Sequence, residues 1–290
     1  DAARRAPHPL PVKDTMLYDL VASDFDMTLC PPGGVVGERT RAAIRRVREA
    51  GAHFTVVSGR TTAGLLHNLA LQRIDLEGMY VIGFNGAAVA QAWDGAHIVS
   101  RTLDADLAAE VVRQARQHPV DVMIPHEDLI HTEAPERPFP QHEARSNATA
   151  LNMVTDLAAT GIAPHKVLIG GDPPQLAAVA RELAQQFRDV AEVVLSAPFL
   201  LEVTARGVTK GTALAAMSEA LGIDPQRTLA FGDNHNDIPM IVQAGLGVAV
   251  GNAVPELLAA ADRVTGTCED EARGLYARNR AAYDVRVAFT

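Results

Sequence analysis

The chain has 290 residues, 48% of them apolar and 21% charged, and a net charge of −9. That length predicts roughly two domains, and the composition is that of an ordinary globular protein rather than a disordered one. The acidic surplus argues against nucleic acid or an anionic membrane as the main partner. Two distant cysteines, Cys30 and Cys268, offer neither a disulfide framework nor metal-ligand spacing, which suits a reducing cytoplasm.

The first 15 residues hold three prolines and no apolar period, and they lack the hydrophobic core of a signal peptide. They read as a mobile tail, with folded structure expected from Met16. Leu20, Val21 and Ala22 then lead as a strand into "SDFDMTLC", where Asp24 and Asp26 stand two residues apart. On a strand such residues share a face, so two like charges point the same way and a positive group is expected between them. "GERTRAAIRRVREAG" carries Ala43, Ile44, Val47 and Ala50 at helical spacing and stops at Gly51. "AHFTVVSGR" is a β-rich run that ends in Ser58 and Gly59, a helix is expected near Thr62 to Leu71, and "MYVIGFNGA" is a further strand. This alternation predicts a doubly wound α/β fold with a parallel sheet covered on both faces, its strand ends gathered at one edge.

The middle of the chain has a different texture. "LDADLAAEVVRQARQHP" is a helix with Asp104 as its N-cap and Pro119 just beyond it. A polar segment with several histidines and prolines follows over 124–147, and "HKVLIGG", "PPQLAAVARELAQQF" and "AEVVLSA" form a strand, helix, strand set. We read 99–198 as an inserted α/β domain and 16–98 with 199–290 as the core. The core pattern resumes with the helix of "GVTKGTALAAMSEALG", the strand "RTLAFGD" and the helix "NDIPMIVQAG". "GVAVGN", "AVPELLAAAD" and "RVTGT" close the chain as a strand, helix, strand run. The most apolar window, 244–261, is interrupted by Asn252, Pro255 and Glu256 and does not span a membrane. "GLGVAVG" mimics a dinucleotide loop but follows a helix and has the wrong third spacing.

The chemistry gathers in two acidic clusters. Asp24 and Asp26 follow one strand, and "GDNHNDIPM" brings Asp233 and Asp237 behind another, so four carboxylates are expected at one sheet edge. Such a hard-oxygen site suits Mg²⁺, which keeps waters and bridges a substrate phosphate. Ser58 at a strand end and Lys210 at a helix start could hold that phosphate. Taken singly these features are bland: two acids meeting solvent at a strand end, a turn with a helix N-cap, a surface lysine. His126, His131 and His142 fit no metal spacing and read as solvated loop histidines; Cys30 reads as a small residue near the site.

Four stretches in order, "DFDMT", "VVSGR", "VTKG" and "GDNHND", resemble the motifs of the haloacid dehalogenase superfamily. The insertion between the second and third, with "FNGA" before it, is similar to the Cof-like phosphatase branch with an α/β cap, and the likeness runs from Leu17 to Arg280. The resemblance implies a nucleophile at Asp24 that becomes an aspartyl-phosphate. It implies that Asp26 protonates the leaving oxygen and then helps to activate water. It implies Mg²⁺ on Asp24, the Asp26 carbonyl and Asp233, with Asn236 and Asp237 in or just behind that shell. Ser58, Gly59 and Lys210 fall on the phosphoryl side; Arg60 and Asn85 either touch substrate or cap a loop. Met27 stands where the family commonly has glycine, and is tolerated if its backbone is ordinary.

The function expected is therefore a Mg²⁺-dependent phosphatase of small phosphorylated metabolites, chiefly sugar phosphates, as a monomer or small homo-oligomer. A phosphomutase and a non-catalytic phospholigand-binding module are the competing readings.

Overall fold

In a computed structural model that describes residues 18–269, the chain forms two sheets. The tail expected over 1–15, the start at Met16 and the resemblance beyond 269 lie outside the described residues. The first part of the chain supplies β1 (Leu20–Asp24), α1 (Glu38–Glu49), β2 (His53–Val57), α2 (Thr62–Leu71), β3 (Tyr80–Gly83), β4 (Ala88–Gln91) and β5 (His97–Ser100). The inserted part supplies α3 (Ala105–Ala115), β6 (Asp121–His126), β7 (Leu129–Thr132), α4 (Pro138–Ser146) and β8 (Ala150–Met153). It continues with β9 (Lys166–Gly170), α5 (Pro173–Phe187), β10 (Ala191–Ala197) and β11 (Leu200–Ala205). The last part returns with α6 (Lys210–Ala220), β12 (Thr228–Gly232), α7 (Ile238–Gln243), β13 (Leu246–Ala249), α8 (Pro255–Ala260) and β14 (Arg263–Val264).

The larger sheet has the order β14-β13-β12-β1-β2-β3-β4-β5. From β14 to β3 neighbouring strands are parallel, and β4 and β5 add an antiparallel edge. That edge was not expected: "AAVAQAWDGAHIV" is short, alanine-rich and weak in alternation. Burial on both faces explains the apolar run of β1. Val21 packs into a cluster with Ile44, Phe54, Leu65 and Leu69. Its neighbours Leu20 and Ala22 pack on the other side with Leu214, Met217, Met240 and Leu257. Helices α6 and α7 approach so closely that a Cβ on Gly211 would lie 2.4 Å from Pro239 O.

The smaller sheet has the order β10-β11-β9-β6-β7-β8. One face, with Ile124, Val167, Ile169, Leu201 and Val203, packs on residues of α3 and α5. The other carries Met123, Ile130, Leu168 and Leu200 in a small apolar cluster with Phe139 and Phe199. By the two-residue period of a strand, Lys166 shares that second face with Leu168, and Glu202 shares it with Leu200. Two boundaries differ from the expectation. β5 still pairs with β4 in the larger sheet, whereas β11 pairs on both sides within the smaller one. A cut at 198 would therefore split the smaller sheet, which runs to Ala205. The polar segment is also structured, because Pro138 takes the first helical position of α4, where no N–H is missed.

Candidate active site

Three neighbouring parallel strands end together and set the site. Register pairs Ser23 with both Val56 and Phe231. Asp24 ends β1 opposite Val57, so Ser58, one residue past β2, and Asp233, one past β12, each follow just beyond its level. This is the carboxyl edge at which open α/β sheets hold ligands.

Asp24, Asp233 and Asp237 are buried, and each offers a carboxylate oxygen within 4.8 Å of the others. The positive group among these acids is Lys210, the first residue of α6, which is 1% exposed; it stands between Asp24 and Asp237, whereas a metal ion was expected between Asp24 and Asp26 and Lys210 on the phosphate. Its Nζ lies 2.6 Å from Asp24 Oδ1 and 2.5 Å from Asp237 Oδ1. A capping box between Thr209 and Thr212 fixes the start of that helix and thus the lysine. Asp237 is fully engaged, since its Oδ2 accepts the backbone N–H groups of Asp233 and Asn234 at 3.0 Å each. Thr28 Oγ1 donates to Asp233 Oδ1 at 2.7 Å.

One cation does not balance three acids in a dry site. Burial outweighs the pull of Lys210 and, with the charges of Asp237 and Asp233, holds the Asp24 carboxyl well above its ordinary range. Burial first, then Asp237, pushes Asp233 up to about 6. Lys210 moves upward as well: burial opposes its charge, but Asp237 and Asp24 together prevail.

Asp26 departs from the expectation. β1 ends at Asp24, so the shared strand face does not extend to residue 26, and the Asp26 side chain is 52% exposed. Arg60 holds it through two bonds, Nε to Oδ2 at 2.9 Å and Nη2 to Oδ1 at 2.7 Å. The same guanidinium donates to Ser146 O and, at 2.9 Å, to Ser146 Oγ on α4, so it ties the first motif to the inserted domain. Met27 follows with φ +64°, a left-handed backbone that favours glycine and costs a methionine about 1–2 kcal/mol. The backbone at Met27 is therefore not ordinary. Asn252 steadies it by donating to Met27 O at 2.9 Å.

Ser58, Gly59, Arg60, Asp24, Asp26, Asp233, Asn236 and Asp237 all line one cleft of about 710 Å³. Lys210 and Asn85 do not; both stand behind its wall. Phe84 and Asn85 take φ values of +52° and +55°, and their N–H groups close onto Arg60 O and Ser58 O. Asn85 Nδ2 donates to Glu202 Oε2 at 2.8 Å, and its Oδ1 accepts from Asn236 Nδ2 at 2.9 Å. Asn85 thus joins the two domains rather than facing the cleft. Asn236 Oδ1 is buried without a partner among the described residues.

Sequence reasoning missed the inserted domain's share of the wall: Glu143, Asn147, Lys166 and Glu202 line the same cleft. The signal was present for two of them, because Lys166 and Glu202 break otherwise apolar strands. Asn147 Oδ1 accepts the Thr61 N–H at 3.0 Å, and a Cβ on Gly64 would lie 2.5 Å from it, so α2 needs glycine at that contact. The histidines are not in loops: His126 and His131 lie on β6 and β7, and His142 lies on α4 with its ring edge-on to Phe199. Cys30 lines the cleft, and it forms no disulfide with Cys268.

Among the described residues no helix is long and apolar enough to cross a membrane. Residues 21–275 match the family of haloacid dehalogenase-like hydrolases. The chain is similar to an HMP-PP phosphatase of Serratia proteamaculans, 31% identical over 270 residues, which are 90% of this chain and 94% of that protein. A second HMP-PP phosphatase, from Yersinia enterocolitica, is 30% identical over 88% of this chain and 92% of its own. A haloacid dehalogenase-like hydrolase of Bacteroides thetaiotaomicron superposes with a TM-score of 0.78 at 29% identity, covering 87% of this chain and 96% of that one. The fold, the ordered motifs and these likenesses agree: the chain belongs to the haloacid dehalogenase-like hydrolases, in the Cof-like phosphatase branch with an α/β cap.

Proposed function

We propose that this phosphatase is Mg²⁺-dependent and acts on a small phosphorylated metabolite, a sugar phosphate or a compound of similar size, through an aspartyl-phosphate on Asp24. The observation that carries the reading is the buried set of Asp24, Asp233 and Asp237 around Lys210, open to a cleft beside Ser58. The donor set fits Mg²⁺. It is all hard oxygen, and it holds more negative charge than one lysine can offset. Asp24, Asp233 and the Asp26 carbonyl would hold the ion, with Asn236 and Asp237 behind them. When bound, the ion would neutralise charge on the phosphoryl oxygens as a carboxylate approaches.

The side chains divide the remaining work. Asp24, oriented from behind by Lys210, forms the new bond to phosphorus while the bond to the leaving oxygen breaks. Ser58 donates to a phosphoryl oxygen. Asp26 gives its proton to the leaving oxygen and then takes one from the water that attacks the aspartyl-phosphate, which releases phosphate and restores Asp24. Both Asp26 oxygens rest on Arg60 in this structure, so one of those bonds must open first. Phosphate release is the activity named for the relatives, and the cleft volume suits a small metabolite.

The test is hydrolysis of p-nitrophenyl phosphate with Mg²⁺ by the wild type and by Asp24→Asn. The amide is a poor nucleophile of the same size, so turnover falls by a factor of about 10⁴ or more. Stability holds or rises, because an ionised Asp24 costs folding energy above the usual carboxylate range. Near-normal hydrolysis by Asp24→Asn would overturn the nucleophile. Activation by a sugar bisphosphate with little free phosphate would instead identify a phosphomutase.

A further inference from the structure

The inserted domain brings four ionisable side chains to the cleft that the chemistry above does not use: His142 and Glu143 on α4, Lys166 on β9 and Glu202 on β11. Two of them are committed to one another and to the core. Lys166 Nζ lies 3.1 Å from Glu202 Oε1 and donates to Gly59 O at 2.7 Å. Glu202 Oε2 accepts from Asn85 at 2.8 Å. These bonds fix the cap sheet over the loop that carries Ser58.

Glu143 is different. It is 6% exposed, and its Oε2 accepts from Asn147 Nδ2 at 3.2 Å. Its Oε1 has no hydrogen-bond partner among the described residues, and Glu143 lines the same cleft as Asp24 and Ser58. The charged and titratable groups that act on it are Lys166, Glu202, His142 and Arg60. Lys166 is occupied as described, and Arg60 is held by Asp26 and Ser146. That oxygen is reached from the cleft rather than sealed off, so a donor on the leaving group would take the place of water there. Burial is the largest influence on Glu143 and raises its pKa, whereas a donor on Oε1 would favour the ionised form.

We propose that Glu143 is a specificity-determining residue whose Oε1 accepts a hydrogen bond from the leaving group. It selects phosphate monoesters whose alcohol carries further hydroxyl or amino donors, and it disfavours a second phosphate. This rests on the phosphatase reading and names the substrate class of that site. The second part follows from charge: an additional phosphate would face Glu143 and Glu202, whose neighbours Lys166 and Arg60 already have partners. A site built to receive a donor rejects an analogue that lacks it far more strongly than an apolar pocket rejects an extra methylene.

The experiment compares a hexose 6-phosphate with cyclohexylmethyl phosphate, which keeps a six-membered ring and an alkyl ester but has no donors. Fructose 1,6-bisphosphate is the third probe and p-nitrophenyl phosphate the control. The wild type should favour the hexose ester over the cyclohexyl ester by tenfold or more in kcat/KM. Glu143→Gln turns a donor toward the cleft, so that ratio should shrink by about tenfold to a hundredfold, mainly through KM. Turnover of the bisphosphate relative to the hexose ester should rise. Glu143→Asp keeps the charge but withdraws it by one methylene, and should shrink the first ratio severalfold; it serves if the glutamine variant does not fold. A hexose-to-cyclohexyl ratio within twofold of wild type, in a variant that melts as the wild type does, overturns the assignment. A wild type that hydrolyses p-nitrophenyl phosphate yet does not discriminate the two ring esters overturns this inference alone. No hydrolysis of any ester overturns the phosphatase reading and this one with it.

Discussion

Replacing Lys210 by Met keeps the length of the side chain and removes the one cation among the described residues that touches two of the three buried acids. Each contact is worth about 4 kcal/mol or more of gross attraction at an effective dielectric of about 20. The lysine's own burial cost offsets much of that, and breaking a buried ion pair from one side leaves a net loss of about 3–5 kcal/mol. For a chain of this size such a loss lowers the melting temperature by about 10 °C. Urea unfolding of the metal-free protein at pH 7 measures it directly. The cause is separable from lost packing by a second substitution. Asp24→Asn in the Lys210→Met background removes a carboxylate that no longer has a counter-charge, so the double variant should recover about half of the loss, about 1.5–2.5 kcal/mol. A single variant within about 1 kcal/mol of wild type would refute the argument that the cluster needs this cation. A double variant no better than the single one would refute the charge pairing between residues 24 and 210.

Asp233→Ala should raise the Mg²⁺ concentration needed for half-maximal phosphate release, and Ca²⁺ should bind yet support little turnover because its looser coordination misplaces Asp24; full wild-type activity in excess chelator would refute this. His165, stacked on Phe84 at 4.6 Å and bonded to Ser100 Oγ at 2.9 Å, has its pKa lowered to about 4, by burial first and then by His97 and His126. Its stabilising contribution is therefore present above the unfolded value near 6.5 and is lost as pH falls toward about 4, an effect of about 3 kcal/mol. Urea unfolding at pH 7.5 and 4.5 should show a smaller acid loss in His165→Gln than in wild type; an equal loss would refute it, and the opposite trend of Asp24 and Asp233 cancels in that comparison. Replacing 102–205 by a short Gly/Ser linker should leave a folded core that slowly hydrolyses p-nitrophenyl phosphate but no longer ranks larger metabolites. The ends can be joined because Arg101 donates to Ala87 O at 2.8 Å and Val208 packs on the same segment, with Phe84, Ala87 and Ala88. A folded core without activity would show that the cap takes part in the chemistry.

The parallel core was legible because its signals are local. Apolar runs that end in Asp24, Ser58 and Asp233 each join a strand to a loop, and strand pairing needs only that they lie side by side. The edge pair β4 and β5 was not legible, since alanine and a single turn carry little alternation. The segment of β11 was placed on the core side of the boundary for another reason. "FLLEVTA" sits within five residues of β10, and its hairpin partner is decided by register across the turn and not by composition. Prolines at 138 and 140 concealed α4, although proline in a first helical turn costs nothing.

The candidate site divides along the same line. Residues carried near a strand end or helix start, namely Asp24, Ser58, Lys210, Asp233 and Asp237, gather at or just behind one edge of the larger sheet. Residues whose surroundings come from the other domain were misjudged or missed. Asp26 was expected beside Asp24, but β1 stops two residues short of it and a guanidinium 34 residues away holds it at 2.7 Å. Asn85 was weighed between substrate and loop, and a carboxylate 117 residues further on decides for a tie between domains. Glu143 gave no signal at all, since a glutamate in a polar helix has the composition of a solvated face. Its burial is imposed by packing between α4, the cap sheet and the loop of Arg60, and such packing has no period in the sequence. The acids proposed to carry the reaction are thus set by short-range pattern, whereas the groups that hold the cap over them are set by pairings more than 80 residues apart. Local change in the inserted segment can therefore alter what the cleft accepts while the edge that carries Asp24 and Asp233 stays as it is.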